Sequence, residues 1–92
     1  MYMRFEWDRQ KKLKNTSKHG IDFKTATKLW DDPNRVEIQA AFEQEKRYIL
    51  IGQIQDKSWT AIFTIRSTTY RIISVRRART KERLLYEESK TS

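Results

Sequence analysis

Residues 48–77 read YILIGQIQDKSWTAIFTIRSTTYRIISVRR, and this stretch decides the fold. It opens on a continuous apolar run at residues 48–51, which is typical of a central strand buried on both faces. Apolar and polar residues then alternate over residues 59–66, the pattern of a strand with one face in the core. A third strand is predicted over residues 70–77. Because the connections between these runs are short, they predict an antiparallel meander.

The first twenty residues predict a strand followed by a polar helix. Residues 3–7 alternate apolar and charged side chains, which indicates a short half-buried strand. Asp8 is a favourable N-cap for a helix over residues 9–19, and Gly20 is a favourable residue to end it. Because this helix has little apolar content beyond Leu13, we expect it to lie on the surface.

The remaining segments complete the order of elements. Asp22 can cap a second helix, whose buried stripe would consist of Phe23, Ala26, Thr27 and Trp30. A turn at residues 31–34 ends it, and a strand follows over residues 36–40. The last helix is predicted over residues 79–89, with Thr80 as its cap and with Leu84, Leu85 and Tyr86 facing inward. The order β-α-α-β-β-β-β-α predicts one α+β domain, with an antiparallel sheet, spanning all 92 residues.

Strand alternation also predicts which arginines share a face of the sheet. Arg66 falls on the same face as Thr60, Ile62 and Thr64. On the last strand, one face is predicted to carry Tyr70, Ile72, Ser74 and Arg76, and the other Arg71, Ile73, Val75 and Arg77. One arginine therefore emerges at the strand end, before a helix that carries Arg79, Lys81 and Arg83. Where a strand end leads into a helix N-terminus, free backbone N–H groups point outward and favour phosphate binding. The arginines could equally lie along the sheet edge and only keep the protein soluble.

The charge of the chain is concentrated in two blocks. The sequence has 20 Lys and Arg against 12 Asp and Glu, a formal net charge of +8. Residues 9–28 and residues 66–83 each contain seven basic side chains and one acidic side chain. Charge runs of this kind are usually solvated faces, but a strongly basic domain also attracts polyanions such as nucleic acid.

Composition excludes several classes of protein and of site. The absence of cysteine excludes disulfides and thiolate zinc sites, and a lone histidine, His19, is too few for a His-rich metal site. His19 could act as a general acid or base, or simply complement the dipole at a helix C-terminus. No apolar run is long enough to span a bilayer and the N-terminus lacks a signal peptide, so we expect a cytoplasmic protein without membrane contact.

Three ordered stretches resemble the BrnT toxin family. The first carries Phe5-Glu6-Trp7-Asp8, Lys11, Asn15, Lys18-His19-Gly20-Ile21, Phe23, Ala26 and Asp32-Pro33. The second is Glu45-Lys46-Arg47-Tyr48-Ile49-Leu50-Ile51-Gly52. The third is Arg71-Ile72-Ile73-Ser74-Val75-Arg76-Arg77-Ala78 with Glu82-Arg83 and Tyr86-Glu87. The resemblance extends over nearly the whole chain.

This resemblance implies a RelE-like fold and a type II toxin that cleaves RNA without a metal or other cofactor and inhibits translation. It further implies a BrnA-like ribbon-helix-helix antitoxin as partner, with operator DNA bound only through that antitoxin. In the implied reaction, Arg66 and Arg76 clamp the phosphate with support from Lys81, and the candidates for proton transfer are His19, Glu82 and Tyr86. Further contacts to nucleic acid are expected from Lys18, Arg71, Arg77, Arg79 and Arg83.

Two other functions fit the same sequence. One is a basic module that binds nucleic acid or an antitoxin without catalysis. The other is an adaptor whose basic surface binds only an acidic protein, and such a protein would have no salt-dependent affinity for polynucleotides.

Overall fold

The computed structural model describes residues 4–40 and 46–91. The elements in chain order are β1 (Arg4–Trp7), α1 (Arg9–His19), α2 (Phe23–Ala26), a 3₁₀ helix (Thr27–Asp31), β2 (Val36–Ala40), β3 (Arg47–Ile54), β4 (Lys57–Arg66), β5 (Thr69–Arg77) and α3 (Thr80–Thr91). The expected α+β class is confirmed. Met3 of the predicted first strand and Glu45 of the second family stretch lie outside the described residues. Among the described residues, no helix has the length and apolar content to cross a membrane.

The five strands form one sheet in the order β1-β5-β4-β3-β2. Strands β2 to β5 pair antiparallel, as the meander predicted. The expectation of an entirely antiparallel sheet was wrong, because β1 pairs in parallel with β5, from Arg4 opposite Thr69 to Trp7 opposite Ile72. The segment between β1 and β2 carries the chain from one edge of the sheet to the other, and this crossover places the first and last strands side by side.

One face of the sheet, here called the core face, packs against α2 and the 3₁₀ helix. Phe63 lies at its centre, with ring centroids 5.1 Å from Trp30, 5.6 Å from Tyr48 and 5.6 Å from Tyr70. The predicted second helix is α-helical only as far as Ala26 and then tightens into 3₁₀ geometry. The tighter turn brings Leu29, which the predicted stripe did not include, into the core with no exposed surface.

The opposite face, here called the outer face, is defined by Thr60, Ile62, Thr64 and Arg66 of β4 and by Arg71, Ser74 and Arg76 of β5. The predicted faces of β5 were wrong in part, because the pairing shifts from Ile62 opposite Ser74 to Phe63 opposite Ile72. This irregularity leaves Ile73 without an opposite residue, as in a β-bulge. Two successive side chains therefore do not alternate, and Arg71 joins Ser74 and Arg76 on one face.

The 3₁₀ helix approaches β3 closely at Gly52. A Cβ atom there would lie 3.2 Å from Leu29 Cδ2 and 3.5 Å from Asp32 Oδ2. A glycine at this position lets the backbone of the 3₁₀ helix rest directly on the strand.

Helix α1 is held by a polar side chain and not by an apolar stripe. Asp8 caps its first turn and Gly20 ends it with φ 75°, both as predicted. Leu13 is 71% exposed, and Asn15 is the helix's buried residue. Beyond Trp7, where β1 stops, Asn15 Oδ1 accepts the N–H of Val75 at 3.0 Å, and its Nδ2 donates to the carbonyl of Ile21 at 3.1 Å. Asn15 thus takes the place of a strand partner at Val75.

We expect Asn15→Ala to destabilise the protein by about 2–4 kcal/mol, because it leaves a buried N–H and a buried carbonyl without partners. The free energy of unfolding in urea measures this loss. Ser17→Ala, on the exposed side of the same helix, is the control and should change stability by less than about 0.5 kcal/mol. Equal losses in the two variants would show that α1 is held by other contacts.

Candidate nucleic-acid interface

The β5 side of the outer face is a row of polar and cationic side chains. Helix α3 packs on β2 and β3, and Arg71, Ser74 and Arg76 of β5 are half-buried. Arg71 Nη1 lies 3.5 Å from Glu6 Oε1, a partly exposed pair that neutralises some of its charge. Arg76 is the more buried cation of the row, with 18% of its side chain exposed.

Helix α1 forms a basic groove along the half of β5 that does not pair with β1. The groove has a volume of about 260 Å³ and is lined by Lys11, Lys14, Asn15, Lys18, His19, Ile73 and Ser74. We call it the α1 groove. Its lining contains three lysines and a histidine and no carboxylate. Clustered positive charge raises the local concentration of phosphate groups.

Ser74 connects the α1 groove to Arg76. It lines the groove and also lies on the outer face two residues before Arg76, about 7 Å away along the strand. Two of the residues predicted for the site, His19 and Lys18, are therefore brought to the same edge of the sheet as Arg76.

Arg66 lies at the far end of the outer face. It is opposite Thr69, whereas Arg76 is opposite Thr60, and six residues of β4 separate these two positions. Extended backbone of that length spans about 20 Å. The two arginines proposed as one clamp are thus too far apart to hold the same phosphate.

The carboxylate of Glu82 joins α3 to the sheet. Its two oxygens accept from Arg76 Nη1 at 2.7 Å and Nη2 at 2.8 Å, a bidentate pair. Oε1 also accepts from Thr60 Oγ1 at 3.0 Å and from the backbone N–H of Arg79 at 2.7 Å. The last bond is one half of a capping box, so Arg79 and not Thr80 is the N-cap of α3.

These contacts hold Glu82 in its charged form. Burial alone would raise the pKa of Glu82, but the hydrogen bonds from Arg76, the backbone of Arg79 and Thr60 outweigh burial and lower the pKa to about 2. The same carboxylate raises the pKa of Arg76 against the effect of burial. Glu82 is therefore an ionised partner of Arg76 and a poor proton acceptor near neutral pH.

Tyr86, the next predicted site residue on α3, is buried and donates its hydroxyl to Asp32 Oδ2 at 2.6 Å. Burial and this hydrogen bond raise the pKa of Tyr86. Asp32 Oδ2 also accepts the backbone N–H of Gln53 at 2.8 Å, and Oδ1 accepts that of Asn34. Burial alone would raise the pKa of Asp32, but these hydrogen bonds outweigh it and lower the pKa. Tyr86 thus anchors α3 to the turn before β2.

The remaining predicted contacts are exposed cations around α3: Arg77, Arg79, Lys81 and Arg83. Arg77 lies on the core side of the sheet end, with its guanidinium carbon 5.4 Å from the centre of the Trp59 ring. It therefore points away from the row formed by Arg71 and Arg76.

The prediction from sequence missed several residues of this interface. Lys11 and Lys14 belong to the α1 groove, and their spacing with Lys18 on one side of a helix was a signal that could have identified them. Thr60 and Asp32 had no such signal, because their roles depend on side chains 22 and 54 residues away.

We expect the acid stability of the protein to depend on Glu82. Its pKa lies below the ordinary value of 4.5, so its contribution is complete above that pH and is lost as the pH falls towards about 2. Between about pH 6 and pH 2.5, the wild type should lose on the order of 1–2 kcal/mol more than Glu82→Gln in urea unfolding, after allowance for solvent screening. Glu88→Gln, on the exposed side of α3, should behave as the wild type. An equal loss of stability at low pH in Glu82→Gln would show that other carboxylates cause it.

Comparison with known proteins places the chain in a family. Residues 7–82 match the family model described as the ribonuclease toxin BrnT of a type II toxin-antitoxin system. A search of curated proteins finds no match. The matched range includes α1 with its groove, Arg76 and Glu82 and ends before Tyr86. Because this range covers most of the 92 residues, the chain belongs to the BrnT ribonuclease toxins of type II toxin-antitoxin systems.

Proposed function

We propose that this chain is a metal-independent endoribonuclease with a RelE-like fold that inhibits translation by cutting RNA. The observation that carries the proposal is the α1 groove, where His19 and three lysines lie beside Ser74, two residues along β5 from the Glu82-bound Arg76. This arrangement supplies cationic groups and one imidazole at a surface that a phosphodiester can reach.

RNA contains its own nucleophile, the 2′-OH next to the scissile phosphate. In the proposed reaction a base removes the proton of this hydroxyl, and the oxygen attacks phosphorus to give a 2′,3′-cyclic phosphate. An acid then protonates the leaving 5′ oxygen. Negative charge grows on the phosphoryl oxygens during attack, and fixed guanidinium and ammonium groups stabilise it.

The contacts support different roles for the candidate residues. His19 is the candidate for proton transfer, because it lines the basic groove. Arg76 is the candidate for stabilising the phosphoryl oxygens. Glu82 serves as its positioning residue, because a bidentate carboxylate fixes the plane of the guanidinium.

The other candidates take supporting roles in this proposal. Tyr86 holds α3 in place through Asp32. Lys81 and Arg66 contact RNA at either end of the outer face, together with Lys18 and Arg71. Contacts of this kind contribute affinity without sequence preference.

The partner in this proposal is a BrnA-like antitoxin with a ribbon-helix-helix part. The basic surface of the toxin would then be neutralised in the complex, and the complex would contact operator DNA only through the antitoxin. We place this activity in the cytoplasm, where RNA, ribosomes and antitoxin are present together.

We expect purified protein to cleave total RNA in excess EDTA. Arg76→Ala should lower the rate about 100-fold, since one electrostatic contact to a developing oxyanion contributes about that factor. His19→Gln should also slow cleavage, whereas Lys24→Ala, an exposed cation on α2 at the opposite face of the sheet, should cleave as the wild type. The readout is the loss of full-length RNA with time, and circular dichroism checks that each variant is folded.

Full activity of folded Arg76→Ala would remove Arg76 from the reaction. Absence of cleavage by the wild type, both on free RNA and on messenger RNA in translating ribosomes, would favour the non-catalytic binding module.

We expect the α1 groove to contribute a salt-dependent share of RNA affinity. Replacing Lys11, Lys14 and Lys18 together by Gln should reduce the slope of log K against log salt by about 2, at roughly 0.7 for each phosphate contact on a single strand. Fluorescence anisotropy with a labelled RNA measures the slope. An unchanged slope would show that RNA does not enter the groove.

A further inference from the structure

A second cavity lies at the C-terminal end of α3, outside the α1 groove. It has a volume of about 620 Å³, in the range of small-molecule sites. The polar groups that line it include Lys28, Asp31, Asn34, Gln53, Tyr86 and Lys90. The reaction proposed above uses none of these side chains directly.

The wall of the cavity is held together by Asp32. This carboxylate accepts hydrogen bonds from the hydroxyl of Tyr86 and from the backbone N–H groups of Gln53 and Asn34. It therefore ties α3, β3 and the turn before β2 into one rigid frame. A frame fixed in advance lowers the entropy cost of binding a ligand.

The charge of the lining differs from that of the rest of the protein. Two lysines are matched by two aspartates, in a chain with a net charge of +8. A phosphate site would need an excess of positive charge, as the α1 groove has. Amide side chains, paired charges and the apolar surface of Pro33 and Ile54 suit a flat, neutral heterocycle with donors and acceptors on its edge.

We propose that this cavity binds a guanine base. The lining contains the ammonium groups of Lys28 and Lys90, which can donate to the acceptors O6 and N7, and the exposed carboxylate of Asp31, which can accept from the donors N1–H and N2–H. Adenine lacks the N1–H donor, and the pyrimidines lack the paired donors. The amide groups of Asn34 and Gln53 can serve either edge of the base.

The cavity is close enough to the proposed reaction centre to select the RNA that is cut. Tyr86 follows Glu82 on α3 by four residues, about 6 Å along the axis, and Glu82 holds Arg76. A guanine in the cavity would place a nearby part of the same strand over the outer face. This role in substrate selection rests on the proposed function, whereas binding of the base does not.

Nucleosides measure binding in the cavity separately from binding in the α1 groove, because they carry no phosphate for the groove to attract. Guanosine, adenosine, cytidine and uridine are titrated into the full-length protein, with amide chemical shifts and calorimetry as readouts. We expect guanosine to bind at least about tenfold more tightly than the others, the discrimination that one well-matched base edge provides. We expect Asp31→Asn to lower guanosine affinity about tenfold.

Asp56→Asn is the matched control, since Asp56 is an exposed aspartate in the β3–β4 turn and outside the lining. It should bind guanosine as the wild type. Equal affinity for the four nucleosides, absence of saturable binding, or full affinity in Asp31→Asn would each overturn the proposal.

Mapping of cut sites separates this proposal from the proposed function. Wild-type cleavage should concentrate near guanosines, Asp31→Asn should lose that preference, and Asp56→Asn should keep it. Guanosine binding by a protein that cuts no RNA would support the cavity and contradict the ribonuclease. Cleavage without any preference for guanosine, by a protein that does not bind the nucleoside, would do the reverse.

Discussion

A single buried amide determines where the basic surface of this protein lies. Strand β1 covers only the first half of β5, and Asn15 satisfies the exposed backbone of the second half at Val75. Because the helix offers no apolar stripe, this side chain supplies the buried contact between α1 and β5. The lysines of α1 lie beside Ser74 as a consequence, and the α1 groove exists only in that position.

Two carboxylates then attach the last helix to the sheet and to the turn before β2. Glu82 holds the start of α3 to Arg76 and Thr60, and Asp32 holds its middle through Tyr86. The expected inward direction of Leu84 and Leu85 was wrong, because they are 58% and 43% exposed, whereas Tyr86 is buried as expected. The residues that position Arg76 are therefore the same ones that keep the helix in place.

Local rules predicted the parts of the structure that depend on neighbouring residues. Apolar alternation indicated β4. The cap residues Asp8 and Gly20 gave the correct ends of α1, because the groups that they contact lie within a few positions. The bulge at Ile73 broke the predicted faces, since one unpaired residue inverts every side chain after it. The partners of Asn15 and Glu82 are set by the assembled fold, and no periodicity reveals them. The distance between Arg66 and Arg76 could be deduced only from the register of β4 and β5.

The parallel pairing of the first strand with the last has a consequence during synthesis of the chain. Residues 4–7 can pair in the sheet only after residues 69–72 have been synthesised, and Asn15 can bond Val75 only 60 residues later. Contacts of such long range form late, because the intervening loop must close first. A nascent chain therefore carries its lysines long before it can arrange them around Ser74. The complete basic surface, and any toxicity that depends on it, belongs to the finished protein and not to its growing fragments.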